Sequence, residues 1–163
     1  MKIYLGADHA GWDLKEKIKV YLRGLGYEVA DEGAFALDPN DDYPDFIDIV
    51  AKLVASDPES RGIIFGGSGQ GEAMCANRYK RVRATVYYGS PRAELRGEDD
   101  WEIIKLSREH NNANILSIGA RLVDEGEAKR AIKLWLETPF SGADRHIRRL
   151  AKLDYKLRSD NEF

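Results

Sequence analysis

The sequence predicts an α/β protein: a five-stranded parallel sheet covered by helices on both faces, a three-layer sandwich, with one further helix at the C-terminus. Three observations carry that expectation. Short β-rich apolar runs alternate with longer stretches of helical period along the whole chain. The densest glycine cluster directly follows one of those runs, where open parallel sheets place their ligand loops. At 163 residues the chain can bury one substantial core but not two comfortable ones, so residues 1–163 read as a single domain.

The elements follow in order. The expected strands are residues 2–7, 27–30, 62–65, 84–88 and 114–118. Leu14, Ile18, Leu22 and Leu25 recur at helical spacing after the first strand, and Gly24 and Gly26 break that helix. Phe46, Ile49, Val50, Leu53 and Val54 form a second apolar stripe, and Ala128, Ala131, Ile132 and Trp135 another. Ile147, Leu150, Ala151 and Leu153 mark the last helix. Strands that connect through helices favour a parallel sheet buried on both faces. There is no internal repeat, low-complexity tract or interdomain linker.

Composition narrows the function classes. Apolar residues are 43% and charged residues 33%, which is ordinary for a globular protein. A formal charge of −3 offers no general attraction to nucleic acid or to an anionic membrane, so any anion must be held by a local cluster of cations. No apolar run approaches the roughly 18 residues of a membrane span. Cys75 is the single cysteine and excludes an internal disulfide. The start, Met1-Lys2-Ile3-Tyr4-Leu5-Gly6, does not read as a signal peptide, and the expected compartment is the cytoplasm.

The residues suited to chemistry cluster after strands. Asp8-His9 follows the first, Gly66-Gly67-Ser68-Gly69-Gln70-Gly71-Glu72 the third, and Asp41-Asp42-Tyr43-Pro44 leads into a helix. Glycines at 66, 67, 69 and 71 let backbone N–H groups approach an anion at a helix start; a turn that merely needs positive φ would look the same. The loop lacks the Lys-Ser or Lys-Thr of a nucleotide phosphate loop and the dinucleotide glycine spacing. The three histidines, His9, His110 and His146, lie at predicted strand ends or helix termini, where a structural role competes with a functional one. Their spacings, with Cys75 inside a helix, fit no ordinary zinc pattern. Arg145, His146 and Arg149 are neighbours on one helical face, either a phosphate grip or a solvated basic surface.

Taken in order, these pieces resemble the type B ribose-5-phosphate isomerase family, which includes galactose-6-phosphate isomerase subunits. The matching segments are Gly6-Ala7-Asp8-His9-Ala10-Gly11, Asp42-Tyr43-Pro44, Gly67-Ser68-Gly69-Gln70-Gly71-Glu72 and Ala76-Asn77-Arg78. Arg83-Ala84, Ser107-Arg108-Glu109-His110-Asn111, Gly119-Ala120-Arg121 and Arg145-His146 complete the set, which spans nearly the whole chain. The resemblance implies a Rossmann-like sandwich that interconverts an aldose phosphate and a ketose phosphate without metal or organic cofactor. It implies a homodimer, or a dimer of dimers, with shared active sites. Ribose 5-phosphate is the expected substrate, with a six-carbon or other sugar phosphate, or a non-catalytic sugar-phosphate-binding protein, as alternatives.

Carried over residue by residue, the resemblance puts Asp8, His9 and Tyr43 at the sugar. Gly67, Ser68, Gly69 and Gly71 hold the enediolate oxygens, and His110 opens the ring with Asn111 beside it. His9, Arg121, Arg145, His146 and Arg149 form the phosphate set, some reaching across the dimer. Two departures stand out. Where many members carry a cysteine base this chain has Gly66, and Glu72 is the expected base, as in the other branch of the family. Between Pro91 and Ser107 the chain carries about ten extra residues, including Glu98, Asp99, Asp100 and Trp101, which either reshape the sugar pocket or decorate the surface.

Overall fold

The computed structural model describes residues 1–89 and 101–159. The elements are β1 (Lys2–Ala7), α1 (Trp12–Gly24), β2 (Glu28–Asp31), α2 (Tyr43–Ser56), β3 (Arg61–Gly66), α3 (Gln70–Ala76), β4 (Ala84–Tyr87), α4 (Glu102–Glu109), β5 (Ile115–Gly119), α5 (Glu125–Glu137) and α6 (Asp144–Ser159). The strands form one sheet in the order β2-β1-β3-β5-β4, with every neighbouring pair parallel. The fold is the expected α/β sandwich with a C-terminal helix.

Alternating side chains on each strand supply two separate cores, because successive residues of a strand face opposite sides. Ile3, Leu5, Ile63, Phe65, Leu116 and Ile118 pack with Leu14, Ile18 and Leu22 of α1, Ile104 of α4 and Ile132 and Trp135 of α5. Tyr4, Ile64 and Ile115 pack on the other face with Ile47, Val50, Ala51 and Val54 of α2 and Ala76 of α3. The helix after β1 therefore lies on one face and the helix after β3 on the other. β1 and β3 are adjacent in the sheet, so the chain diverges between their carboxyl ends and leaves a crevice there.

Several expected details shift. The strands expected at 27–30 and 114–118 begin one residue later, at Glu28 and Ile115. Asn114 is instead a corner: its side chain accepts from Arg83 N–H at 2.7 Å and donates to the Arg81 carbonyl at 2.7 Å. In α1, Leu14, Ile18 and Leu22 are buried, but Leu25 falls past the helix and is exposed. The α2 stripe is rotated: Ile47, Val50, Ala51 and Val54 are buried, whereas Ile49 is exposed. Val50 sets that rotation by seating against Gly6, where an added Cβ would lie 2.8 Å from its Cγ2. Ala128, Ala131, Ile132 and Trp135 of α5 are all buried as expected. Ile147 and Leu153 of α6 are 50% and 55% exposed, so the last helix does not bury its apolar face on its own chain.

Lys15 breaks the pattern that sequence periodicity suggests. It is fully buried beside Leu14 and Ile18, and its ammonium donates to Asp31 at 2.6 Å and to the Ala34 carbonyl at 2.8 Å. Lys19 donates to the other Asp31 oxygen at 2.6 Å. These bonds tie α1 to the end of β2 and to the segment that leads toward α2. Burial raises the Asp31 pKa, but the hydrogen bonds from Lys15 and Lys19 outweigh it and hold the carboxyl below its ordinary 3.8.

Removing one partner of a buried pair strands the other charge. Asp31→Ala should therefore lower stability at pH 7 by about 3–5 kcal/mol in urea unfolding. The folded-state pKa is depressed, so this contribution is present above the unfolded value and lost as pH falls through the folded one. The deficit of Asp31→Ala against the parent should shrink in acid; a deficit that stays constant down to about pH 2 would refute the ion-pair account.

Candidate active site

The crevice between β1 and β3 is a cleft of about 500 Å³ whose lining includes Asp8, His9, Tyr43, Gly67, Ser68, Gly71, Glu72, Arg121 and Leu122. Each is placed by an element already described. β1 delivers Asp8, whose Oδ1 accepts from the N–H groups of Ala10 and Gly11 at 3.0 and 3.2 Å and so shapes the turn into α1. Pro44 in the first turn of α2 suits a helix start and sets Tyr43 at the cleft. Arg121 follows β5, and its N–H donates to the Gly67 carbonyl at 3.1 Å.

The glycine loop is held from beneath. Gly69 has φ +79°, and its carbonyl accepts from the buried Ser117 hydroxyl at 2.7 Å. It supports the loop from behind without lining the cleft. A Cβ at Gly71 would stand 3.0 Å from the Tyr43 ring, and one at Gly67 would stand 3.4 Å from the Arg121 guanidinium. Ser68 at the loop's crest is exposed, and its Oγ accepts from Gln70 N–H at 3.3 Å.

Gly66 and Glu72 are coupled in space. Any Cβ at residue 66 would overlap the Glu72 carboxylate, which occupies the volume a side chain at 66 would need. Glu72 is only 4% exposed, and burial raises its pKa above the ordinary 4.5; the charge of Asp8 adds to this, and a hydrogen bond from its own backbone N–H opposes it. Cys75, one turn on, is half-buried and donates to Asp48 Oδ1 at 3.2 Å. Burial first, and then Asp48, push its thiol up to about 12, so it is inert at neutral pH.

His9 has a partner that sequence reasoning passed over. Asp41 Oδ1 lies 2.7 Å from His9 Nδ1 and also accepts from His9 N–H at 2.9 Å. The Asp41-Asp42-Tyr43-Pro44 turn was legible as a site segment, but nothing in the sequence separates Asp41 from its neighbours. Asp8, His9 and Asp41 are the one cluster within metal-ligand reach among the described residues, and its closest pair is hydrogen-bonded to itself.

The remaining predicted residues are not in this cleft. The His110 and His146 rings stack on each other at 4.2 Å and 15°. Arg145 Nε donates to His146 Nε2 at 3.1 Å. The expected common face of Arg145, His146 and Arg149 is thus split: His146 is buried, and both arginines are exposed. Burial lowers the His146 pKa first, and the neighbouring His110, Arg145 and Arg149 lower it further. Asn111 lines a second cavity of about 380 Å³ with Arg83, Leu150 and Leu153. Arg108, which sequence reasoning gave no role, holds the turn after His110: it donates to Asn112 Oδ1 at 3.0 Å and to the Thr138 carbonyl at 3.2 Å. Glu98, Asp99 and Asp100 of the extra segment lie outside the described residues, while Trp101 stacks on Tyr87 at 6.1 Å.

Fold and cleft together define a parallel α/β protein with a buried carboxylate, an imidazole and a guanidinium at the carboxyl ends of its strands. A family model described as Ribose/Galactose Isomerase matches residues 3–153, and the chain belongs to that family. Ribose-5-phosphate isomerase B of Mycolicibacterium paratuberculosis is 39% identical over 150 residues, covering 92% of this chain and 87% of that one. Ribose-5-phosphate isomerase B of Clostridium thermocellum superposes with a TM-score of 0.87 at 37% identity, covering 99% of this chain and 100% of that one. The Mycoplasma genitalium ribose-5-phosphate isomerase B, solved with bound ribulose 5-phosphate, gives 0.85 at 32% identity over 99% of this chain and 97% of its own. No described helix is long and apolar enough to cross a membrane.

A buried carboxyl whose folded pKa is raised costs stability once it ionises. That cost is absent below the unfolded value and grows as pH rises through it toward the folded one. Glu72→Gln should therefore be more stable than the parent in urea at pH 7 and equal to it near pH 4. A capping role predicts the reverse, a loss of about 0.3–1 kcal/mol at pH 7, and that result would overturn the burial account.

Proposed function

We propose that this protein is an aldose–ketose isomerase that interconverts ribose 5-phosphate and ribulose 5-phosphate through an enediolate, with Glu72 as the base. The observation that carries it is the Glu72 carboxylate, buried in the place of a side chain at residue 66 and opening on the same cleft as Asp8, His9, Ser68 and Arg121. From aldose to ketose, Glu72 takes the proton from C2, and the electron pair forms the C1–C2 double bond as the C1 carbonyl pair moves onto O1. The proton then returns to C1 while the O2 hydroxyl passes its proton to O1 and becomes the carbonyl. The backbone of Gly67, Ser68 and Gly71 meets the enediolate oxygens, as an oxyanion hole would, while Gly69 holds the loop in shape from behind. A base that is partly desolvated and raised in pKa is suited to such a transfer near neutral pH.

His110, Asn111, Arg145, His146 and Arg149 serve the cleft of a second copy in this reading. It is supported by their absence from the lining of their own cleft and by the exposed apolar side chains Ile147 and Leu153 on α6. The assembly is a homodimer or a dimer of dimers, in which His110 of one protomer opens the sugar ring in the other's site. The chain acts as one isomerase domain, and its lone free thiol, Cys75, accords with a cytoplasmic setting.

Glu72→Gln should lower kcat by roughly 10²–10⁴-fold with little change in KM, in a coupled assay against pentose and hexose phosphates. Gly66→Cys should lose activity as well, because its side chain evicts the carboxylate, whereas Cys75→Ala should keep nearly normal turnover. Full activity of Glu72→Gln would overturn the assignment. Arg149→Ala should weaken binding of the sugar phosphate by about 1.5–3 kcal/mol. Its effect should come from the partner's site: mixing Arg149→Ala with Glu72→Gln subunits should restore some fully equipped clefts. An active monomer in sedimentation would refute the shared site.

A further inference from the structure

None of the roles above uses Asp41, yet its carboxylate holds the cleft-lining His9. It lies 32 residues from His9 in sequence, and its side chain is 9% exposed. One oxygen serves both His9 N–H and His9 Nδ1, and the other, Oδ2, is buried without a hydrogen-bond partner among the described residues. Leaving half of a carboxylate desolvated and unpaired is costly, so the arrangement is not an incidental surface pair. A carboxylate only accepts, so Nδ1 carries a hydrogen and Nε2 is the ring nitrogen left for the cleft. In the neutral ring Nε2 then presents a lone pair, which repels an anion. Only the imidazolium donates from Nε2 while keeping its bond to Asp41.

We propose that Asp41 is a positioning residue that fixes the His9 ring with Nδ1–H turned onto its carboxylate, so that His9 grips the anionic end of the substrate only as the imidazolium and a proton binds together with the anion. The proposal rests on the sugar-phosphate reading of the cleft. The groups facing His9 are Asp8 from the end of β1, Asp41 from the segment before α2, and Arg121 from the turn after β5. The hydrogen bond to Asp41 is the largest influence on the ring and raises its pKa above 6.5; burial opposes it, the charges of Asp8 and Asp41 add to it, and Arg121 opposes it. Because the folded value is raised, the cationic grip is full below the ordinary value and fades as pH rises through the folded one.

The test uses the intact protein and needs no turnover. The His9 ring proton signal, identified among the three histidines by its loss in His9→Gln, is followed by NMR against pH. Inorganic phosphate binding is measured by calorimetry in parallel. The parent ring should titrate above 6.5, and Asp41→Asn, which keeps the shape but not the charge, should shift it downward. Phosphate should bind Asp41→Asn about three- to tenfold more weakly than the parent near pH 8 and equally near pH 5.5, where both rings are cationic. Comparing variant with parent cancels the ligand's own titration. Asp41→Ser supplies the same comparison if Asp41→Asn is too unstable. An unchanged His9 midpoint, or a phosphate deficit of equal size at both pH values, overturns the proposal. Absence of isomerase activity would instead overturn the functional reading, while these two measurements still decide the role of Asp41.

Discussion

Burial of the sheet on both faces is the constraint from which the rest of this molecule follows. β1, β3 and β5 have apolar side chains packed above and below, so their polar backbone is spent on one another and their flanks are closed to solvent. Polar chemistry is left with the edge where strands end and loops begin. The helix after β1 goes to one face and the helix after β3 to the other, and so the carboxyl ends of two adjacent strands part. Asp8, the glycine loop and Arg121 converge on that gap because each immediately follows a central strand.

Within the gap, close packing couples Gly66 to Glu72 and Gly71 to Tyr43. The missing side chain at Gly66 is not a lost nucleophile but room for the Glu72 carboxylate. The two positions are steric alternatives for one volume, because a side chain at residue 66 would overlap the Glu72 carboxylate. The buried carboxylate and the inert thiol of Cys75 share one short helix, yet opposite surroundings separate them. Glu72 opens on the cleft, whereas Cys75 donates to Asp48 on the face packed against α2.

A second theme is that polar side chains near the site are held by groups distant in sequence. Lys15 and Lys19 clamp Asp31 at the head of the segment that carries Asp41, Asp41 holds His9, and Ser117 holds the loop carbonyl of Gly69. Arg108 does the same for the turn after His110, whose ring lies against His146. The cleft is built and braced on one side by its own chain. The apolar side chains Ile147 and Leu153 of α6 and the guanidinium groups of Arg145 and Arg149 stay exposed on this chain.

Local rules sufficed for what depends on one segment at a time. Alternation of strand and helix, the glycine loop after β3 and the ordered motifs from Asp8 to Arg149 can all be read along the chain, and each is a property of neighbours in sequence. Element ends moved where a side chain took over backbone hydrogen bonds, as Asn114 does, and the face of α2 was decided by the fit of Val50 against Gly6. The overlap of Glu72 with the space above Gly66, the Asp41–His9 bond and the burial of Lys15 became visible only in three dimensions. Each joins residues from different elements, and a periodicity cannot encode which of two acidic neighbours faces a histidine 32 positions away. The sequence by itself determined the layers, the order of the strands' contents and the residue types at the cleft. Tertiary structure decided which of those residues share a cavity, because burial, distance and steric exclusion exist only once the segments have packed.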